Sequence, residues 1–535
     1  MTTLEDLKHS ALSGRINRRN FIKESAALGL TVAAASTLAD SVALAAEPNS
    51  GGNYRVALDD GNTTDSFDPA TYEGSFQIGQ ARVCGNYLTE ITSDNVAGPD
   101  LAESWEASPD ASSWTFKLRQ GVEFHNGKTL SANDVVASLN HHRGPDSTSG
   151  GSALLDNVID IVAVDANTVR IDLTSGSADM PYVMTDYHML ILPADGEGNL
   201  DTSGIGTGGY VMESFEPGIG SYFHRNPNYF KEGKANFDSV EYHAVADANA
   251  RESGLVSGEF DSIISVDTKT VDFLAQNPGV RVDEVASGAH ATLAMHVDIA
   301  PYDDNNVRMA LKYAMDRQSA VDVVLRGHGT IGNDHPVAPT MPYYDADQTQ
   351  RMYDPDKAMW HLKQAGLDSL SVPFSTSDVP FPGGVDFSVL YQEKAKAANI
   401  DLDVVRESAD GYWSNVWLVQ PFSLVAWGAR PTPDMILSLA YAGGAAWNET
   451  HLDNARLNTI LVEARAELDD AKRGEMYAEA QMIVSDEGGT IVPFFTNYLF
   501  ASTPNLLRAN EGFSGDWTLD GYRSAERWWY EEGTI

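Results

Sequence analysis

Residues 422–448 constrain the fold more than any other stretch of the chain. They begin with a short, nearly continuous apolar run, residues 422–427, which is typical of a strand buried on both faces. Gly428 and two prolines end that run, and Thr432 is placed to cap a helix with Pro433 at its first position. A strand, a turn and a helix in this order predict an α/β sheet with a crevice at the carboxyl end of the strand.

The side chains that follow this strand are candidates for a binding site. Trp427 ends the strand, and Arg430 and Asp434 come next, so all three are expected to face the crevice. Trp447 and Asn448 follow a Gly-Gly pair, which gives a flexible approach to a ligand. Two alternatives stay open, because a tryptophan at a strand end is often a core residue and a surface arginine often pairs with a nearby acid.

The periodicity of the remaining chain predicts alternating helices and strands. Ser131 and Asp134 have the spacing of a capping box at the start of a helix. The predicted helices cover residues 132–142, 307–315, 355–365, 385–398, 457–468 and 473–484, and the predicted strands cover 54–58, 114–119, 401–405, 422–427 and 490–495. Alternation of this kind indicates α/β layers.

The charge of the chain argues against two classes of partner. Its 535 residues contain 36 Lys and Arg against 76 Asp and Glu, which gives a formal net charge of -40. Nucleic acids and anionic membrane surfaces require a basic surface, so neither is an expected partner. Residues 60–65 are rich in oxygen ligands but lack the spacing of a calcium loop. No metal site and no cofactor are predicted.

The first 45 residues predict export from the cytoplasm. Arg18 and Arg19 precede an uncharged segment, a pattern similar to a twin-arginine signal peptide, and small residues predict cleavage between Ala45 and Ala46. The apolar segment of about 15 residues is shorter than a membrane-spanning helix, so a retained anchor is the weaker alternative. No cysteine lies near the signal, which argues against a lipoprotein.

No catalytic motif is recognisable in the sequence. Residues 121–129 resemble a phosphate loop, but the spacing between the glycines is one residue too long. His141 and His142 are adjacent on a predicted helix and therefore point in different directions. Cys84 is the only cysteine, which excludes an intramolecular disulfide, and it has no catalytic context. The chain is therefore not expected to be an enzyme, although a secreted hydrolase remains an alternative.

Residues 101–139 carry a specific resemblance to a known family. They read LAESWEASPDASSWTFKLRQGVEFHNGKTLSANDVVASL. This stretch resembles the signature region of the large extracytoplasmic solute-binding proteins of ABC importers, which include dipeptide-, oligopeptide-, nickel- and opine-binding proteins. Residues 206–210, 255–261 and 301–317 follow the family order as well, with Gly209 where the family usually has proline.

The resemblance implies an α/β fold of the two-lobed periplasmic binding protein type, in its large, type II-like group, with an extra domain inserted in the first lobe. By this comparison, residues 46–88, 205–290 and 500–535 form the first lobe, residues 89–204 the extra domain, and residues 291–499 the second lobe. His296 would lie at the crossing into the second lobe, where relatives often carry an asparagine that contacts ligand. A purely structural histidine is the alternative.

The resemblance also implies a function. It predicts a monomeric periplasmic protein that captures a small solute by hinge closure and delivers it to an inner-membrane ABC permease and its ATPase. Peptide is the expected ligand class, but peptide-binding relatives carry an acidic residue where this chain has Arg430, with Asp434 nearby. Because Arg430 suits a carboxylate or phosphate, opines, sugar acids and other anionic solutes remain alternatives. Delivery to a chemoreceptor would use the same binding step.

Overall fold

A computed structural model describes residues 48–72, 74–93, 95–144, 147–408, 412–445, 447–508 and 517–534. The predicted signal peptide and its cleavage position lie outside these residues. No described helix combines the length and hydrophobicity that a membrane crossing requires.

The described strands are numbered in chain order. They are β1 Asn53–Leu58, β2 Thr89–Ile91, β3 Ala97–Pro99, β4 Ala102–Ala107, β5 Ser113–Leu118, β6 Val158–Asp165, β7 Thr168–Leu173, β8 Tyr210–Glu216, β9 Gly220–Arg225, β10 Ser239–Ala244, β11 Ser262–Ile263, β12 Arg281–Met295, β13 Gly329–Ile331, β14 Leu370–Thr376, β15 Ile400–Arg406, β16 Phe422–Trp427, β17 Thr490–Ile491, β18 Phe494–Ser502, β19 Leu506–Leu507 and β20 Trp529–Tyr530.

The described α-helices are named by their bounds. They are Ser75–Cys84, Ala132–Asn140, Met180–Val183, Ala248–Ser257, Val271–Leu274, Asn305–Tyr313, Arg317–Ser319, Pro355–Gln364, Gly384–Ala395, Tyr412–Asn415, Pro433–Ala440, Ala455–Ala466, Asp470–Glu487, Thr518–Tyr522 and Ser524–Arg527. Positive φ angles at residues 519–522 make Thr518–Tyr522 a left-handed turn.

Two long strands join two lobes. The main sheet has the order β15-β14-β16-β12-β18-β11-β1-β10-β9-β8, so β12 and β18 lie at its centre. Strands β1 and β8–β11 flank them on one side and are called the first lobe here, and β14–β16 on the other side are called the second lobe. Separate clusters of buried apolar side chains pack against the two sides. The fold is therefore a two-lobed α/β structure.

A second sheet, of order β4-β5-β7-β6, lies within residues 89–204 and is called the extra domain here. Its helix Ala132–Asn140 begins at the predicted capping box, where the Asp134 carboxylate accepts a 2.9 Å hydrogen bond from the backbone N–H of Ser131. Buried ion pairs connect β2 and the segment before β4 to the first lobe. Lys231 Nζ lies 3.0 Å from Glu90, 2.9 Å from Asp100 and 3.0 Å from Glu526.

The structure confirms most of the predicted elements and corrects one. Strand β16 has the predicted bounds, and Thr432 Oγ1 accepts a 3.4 Å hydrogen bond from the N–H of Met435 at the start of helix Pro433–Ala440. The prediction of a single strand over residues 490–495 was wrong. Pro493 has no backbone N–H and so interrupts the hydrogen bonding between strands. As a result, β17 ends at Ile491 and a separate strand, β18, begins at Phe494.

Candidate functional site

The candidate site lies where β12 crosses from one lobe to the other. The pairing of β12 with β18 shifts register between Ala286 and His290, which marks an irregular crossing. A Cβ atom on Gly288 would lie 2.6 Å from Met341 Cε and 3.6 Å from Ala429 Cβ. Gly288 therefore lies close to the turn after β16, and a larger residue would require the end of the Met341 side chain to move. This close approach places the carboxyl end of β16 at the junction of the lobes.

Arg430 lies in that turn and is half-buried. Its Nη1 donates to the carbonyl oxygens of Gly428, at 3.3 Å, and Ala429, at 3.0 Å. Among the described residues, no carboxylate lies within the 4.0 Å distance of an ion pair. Most of its guanidinium donors therefore remain available for a ligand.

The charge of Arg430 acts on one group of β12 and on one group of the segment after the extra domain sheet. Burial, with a smaller contribution from Arg430, lowers the pKa of His290 on β12 to about 4. Burial alone would raise the pKa of Asp186, which belongs to the segment after the extra domain sheet. The His188 hydrogen bond, at 2.7 Å, and the charges of His188 and Arg430 instead leave that pKa below its usual value. Arg430 therefore lies near both the crossing strand β12 and the segment after the extra domain sheet.

A buried carboxylate organises the tryptophans beside Arg430. Trp427 Nε1 donates to both carboxylate oxygens of Glu449 at 3.2 Å, and Trp417 Nε1 donates to Glu449 Oε2 at 2.9 Å. Glu449 is only 1% exposed. Burial raises the pKa of its carboxyl group to about 7, although both indole hydrogen bonds lower it. The carboxylate thus fixes two large rings at the carboxyl end of β16.

Trp413 and Trp447 lie beside these two rings, and the four tryptophans form one aromatic surface. The ring centroid of Trp417 lies 5.9 Å from that of Trp413, 6.1 Å from that of Trp427 and 5.6 Å from that of Trp447. Trp427 is buried at 7% exposure, whereas Trp413 and Trp447 are 44% and 43% exposed. The buried Trp427 and the half-buried Trp417 thus support two exposed rings, on which a ligand can stack.

A second aromatic group lies on the side of Asp186. Tyr187 and Tyr498 have ring centroids 6.2 Å and 6.4 Å from that of Trp517, and Tyr522 lies 6.2 Å from Trp517 as well. Tyr498 belongs to the half of β18 that pairs with the start of β12. A second group of aromatic rings therefore lies beside the start of β12, next in sequence to Asp186.

Two of the predicted site residues are buried and make hydrogen bonds to the protein itself. Asp434 is 7% exposed, and its carboxylate accepts 2.9 Å hydrogen bonds from Arg465 Nε and Ser438 Oγ. Asn448 is also 7% exposed, and its Nδ2 donates to the carbonyl oxygens of Ala442, at 3.0 Å, and Leu452, at 2.7 Å. Both side chains are satisfied by the chain itself.

The structure does not bring His296 together with Arg430. His290 pairs with Trp427 at the carboxyl end of β16, whereas Met295 pairs with Phe422 at its amino end. His296 therefore lies six residues beyond the crossing, about 20 Å along the strand. It is buried and stacks on His451, with ring centroids 4.0 Å apart. Burial, together with the neighbouring His451, lowers the pKa of His296 to about 4.

Sequence reasoning missed Glu449, Trp413 and Trp417. The two tryptophans lie four residues apart, a spacing that places them on one face of a helix and that was a usable signal. Glu449 had no such signal. One carboxylate among 76 acidic residues becomes recognisable only when two indole N–H groups are seen to point at it.

Comparison with known proteins identifies relatives over most of the chain. Heme-binding protein A of Haemophilus influenzae is 26% identical over 471 residues, which cover 79% of this chain and 83% of that protein. Di/tripeptide-binding protein 1 of Pseudomonas aeruginosa is 24% identical over 520 residues, which cover 88% of this chain and 93% of that protein.

Solved structures share the fold. The periplasmic binding protein DppA of Helicobacter pylori, in complex with the peptide STSA, has a TM-score of 0.73 at 20% identity and covers 90% of this chain and 99% of its own. AgaA of A. tumefaciens R10, in complex with agropinic acid, has a TM-score of 0.74 at 22% identity, with the same coverage of 90% and 99%.

A family model decides the assignment. The model described as bacterial extracellular solute-binding proteins, family 5 middle region, matches residues 97–449. The matched range includes the extra domain sheet, the crossing strand β12, Arg430 and Glu449. It spans more than half of the 535 residues. The chain belongs to the bacterial extracellular solute-binding proteins of family 5.

Proposed function

We propose that this solute-binding protein captures a small peptide or peptide-like solute between its lobes and holds an anionic group of that solute with Arg430. The observation that carries the proposal is the position of Arg430, half-buried at the crossing without an acidic partner among the described residues. A planar guanidinium in a partly desolvated place pairs well with a carboxylate, because it can donate two parallel hydrogen bonds.

The tryptophan surface supplies the apolar part of the binding. Trp413 and Trp447 are exposed beside the buried Trp427, and they suit the side chains or the flat groups of a ligand. Binding here needs no bond to be made or broken, so the proposed role is transport and not catalysis. The experiment below measures turnover as well.

The relatives support a peptide as the ligand and also leave an alternative. The matched di/tripeptide-binding protein and the structure with the peptide STSA favour the peptide class. The structure with agropinic acid shows that the same fold also holds an acidic solute that is not a peptide. Opines and sugar acids are therefore the second candidate class, and Arg430 is the residue that favours them.

The remaining features follow the family role. We propose export by the twin-arginine pathway, cleavage near Ala45/Ala46, and a monomer that presents its closed form to an ABC permease with its ATPase in the inner membrane. The proposed boundaries between first lobe, extra domain and second lobe remain near residues 89, 205, 291 and 500. A sensing role at a chemoreceptor would differ only in the partner. Finding genes for a permease and an ATPase beside the gene for this chain would favour the transport role.

The test begins with the mature protein, residues 46–535. Native mass spectrometry before and after mild denaturation identifies any solute that co-purifies. Calorimetry then compares small peptides, the same peptides with amidated carboxyl ends, an opine and a sugar acid. We expect binding that weakens at least about tenfold on amidation, without any product. Equal affinity for free and amidated peptides contradicts the role of Arg430, and cleavage of a peptide contradicts the binding-protein role.

A further inference from the structure

Three metal-ligating side chains meet at the amino end of β16, on the opposite end of the strand from Arg430. One ligand atom each from His296, Asp298 and His451 lie within 4.8 Å of one another. His451 Nδ1 is 2.9 Å from Asp298 Oδ1, and the two imidazole rings are stacked. The group combines two chain segments that are about 150 residues apart in sequence.

The backbone holds these two segments together. The N–H of Val297 donates to the carbonyl oxygen of Thr450 at 2.9 Å, and the N–H of His296 donates to the carbonyl oxygen of Pro421 at 2.9 Å. His296 and His451 therefore face each other through a fixed backbone and not through chance contact of mobile side chains. A site whose ligands are held before the metal arrives loses little entropy when the metal binds.

Two local features are unexplained by packing alone. His296 is only 3% exposed, and its buried Nδ1 has no hydrogen-bond partner among the described residues. His451 has a φ angle of 58°, a left-handed conformation that residues other than glycine rarely adopt. Strained or unpartnered groups of this kind concentrate at functional sites.

We propose that His296, Asp298 and His451 bind a divalent transition metal of the Zn²⁺ type, outside the solute cleft. Two imidazole nitrogens and one carboxylate oxygen are the ligands of an open tetrahedral zinc site, with a water molecule in the fourth position. Bonds of about 2.1 Å require ligand atoms about 3.4 Å apart, so the most widely separated pair must close by up to about 1.4 Å. Asp298 and His451 are exposed and can make that adjustment.

The site links metal binding to one wall of the cleft. His451 follows Trp447 and Glu449 on the same short loop, so a metal that fixes His451 to β12 also restrains that loop. The sequence by itself predicted no metal site. Sequence spacing alone could not reveal it, because the ligands come from distant segments.

Zinc titration tests the proposal. The full mature protein, carrying no histidine tag and treated with a chelator, is titrated with Zn²⁺ by calorimetry, and Co²⁺ absorption reports the coordination. We expect one equivalent of Zn²⁺ to bind with micromolar affinity. His451→Asn and Asp298→Asn should each weaken binding by at least about tenfold. Asparagine tolerates the left-handed backbone at position 451, and both positions are exposed, so these variants should fold.

His224→Asn is the matched control. His224 Nδ1 lies 3.8 Å from Glu213, which makes a similar exposed histidine-carboxylate pair without a third ligand. This variant should bind Zn²⁺ as the unaltered protein does. No uptake at about 100 µM Zn²⁺ overturns the proposal. Equal affinity in His451→Asn and the unaltered protein also overturns it, because the metal then binds elsewhere.

Discussion

Asp179 and Arg473 form a buried ion pair between the extra domain side and the second lobe side of the molecule. Asp179 Oδ1 lies 2.7 Å from Arg473 Nη2, and the two side chains are 2% and 5% exposed. Thr432 Oγ1 donates to the other carboxylate oxygen of Asp179 at 2.7 Å. Asp179 lies within residues 89–204 and Arg473 lies in helix Asp470–Glu487, so the pair joins the extra domain to the second lobe. We expect it to separate when the lobes open.

Asp179→Asn should therefore weaken ligand binding by at least about tenfold. The substitution leaves Arg473 with an uncompensated charge in the closed form, where a buried charge without its partner costs a few kcal/mol. In an open form both groups are hydrated, so the melting temperature without ligand should change little. Calorimetry and small-angle scattering measure the two effects. Asp172→Asn, which breaks the exposed pair with Arg170, is the control and should leave affinity unchanged.

Arg430→Ala should weaken the binding of an anionic solute by about tenfold or more, because it removes charge-assisted hydrogen bonds. The melting temperature should stay the same, since Arg430 donates only to the neighbouring carbonyl oxygens of Gly428 and Ala429. Arg430→Lys should give an intermediate affinity. Arg456→Ala removes an exposed pair with Glu479 and serves as the matched control. Unchanged calorimetric affinity in Arg430→Ala contradicts the proposal.

Trp447→Ala and Trp427→Ala should distinguish a tryptophan that contributes to ligand affinity from one that contributes to folding stability. Trp447 is 43% exposed, so its loss should lower affinity with a change in unfolding free energy below about 1 kcal/mol. Trp427 is buried and donates to Glu449, so its loss should cost about 3–5 kcal/mol of stability. Urea unfolding and calorimetry measure both variants. Full affinity in Trp447→Ala argues against the tryptophan surface as a ligand contact.

Glu449 should make stability fall as pH rises. Burial raises its folded-state pKa from 4.5 to about 7, so between these values the folded protein holds a proton that the unfolded chain has released. Stability is fully present below pH 4.5, is lost progressively towards pH 7, and stays lower above it. The contribution is on the order of 3 kcal/mol. Urea unfolding at a series of pH values measures this slope.

Two variants isolate this contribution. Glu449→Gln keeps an acceptor for the indole N–H groups of Trp417 and Trp427 and loses the charge, so it should be more stable than the unaltered protein at pH 8. Glu449→Leu leaves two buried donors without a partner and should be less stable. If the difference between unaltered protein and Glu449→Gln is the same at pH 5 and pH 8, the carboxyl group does not titrate in this range.

Local patterns determined much of what the structure shows. The bounds of β16, the Thr432 cap with Pro433, and the Ser131 and Asp134 pair each depend on residues within a few positions of one another. Backbone sterics and hydrogen bonds over such short separations are similar in any fold that tolerates them. The resemblance in residues 101–139 added the family and the two-lobed architecture, which periodicity alone does not contain.

Only the tertiary structure decided which candidate side chains are available to a ligand. Asp434 and Arg430 are four residues apart and looked equivalent in sequence. In the structure, Asp434 forms an ion pair with Arg465, whereas Arg430 pairs with no acid among the described residues. Glu449 became part of the site because it meets Trp427 across 22 positions of the chain. Such pairings depend on where distant segments cross. The free-energy cost of burying a charged group depends on whether the fold places a hydrogen-bond or ion-pair partner beside it.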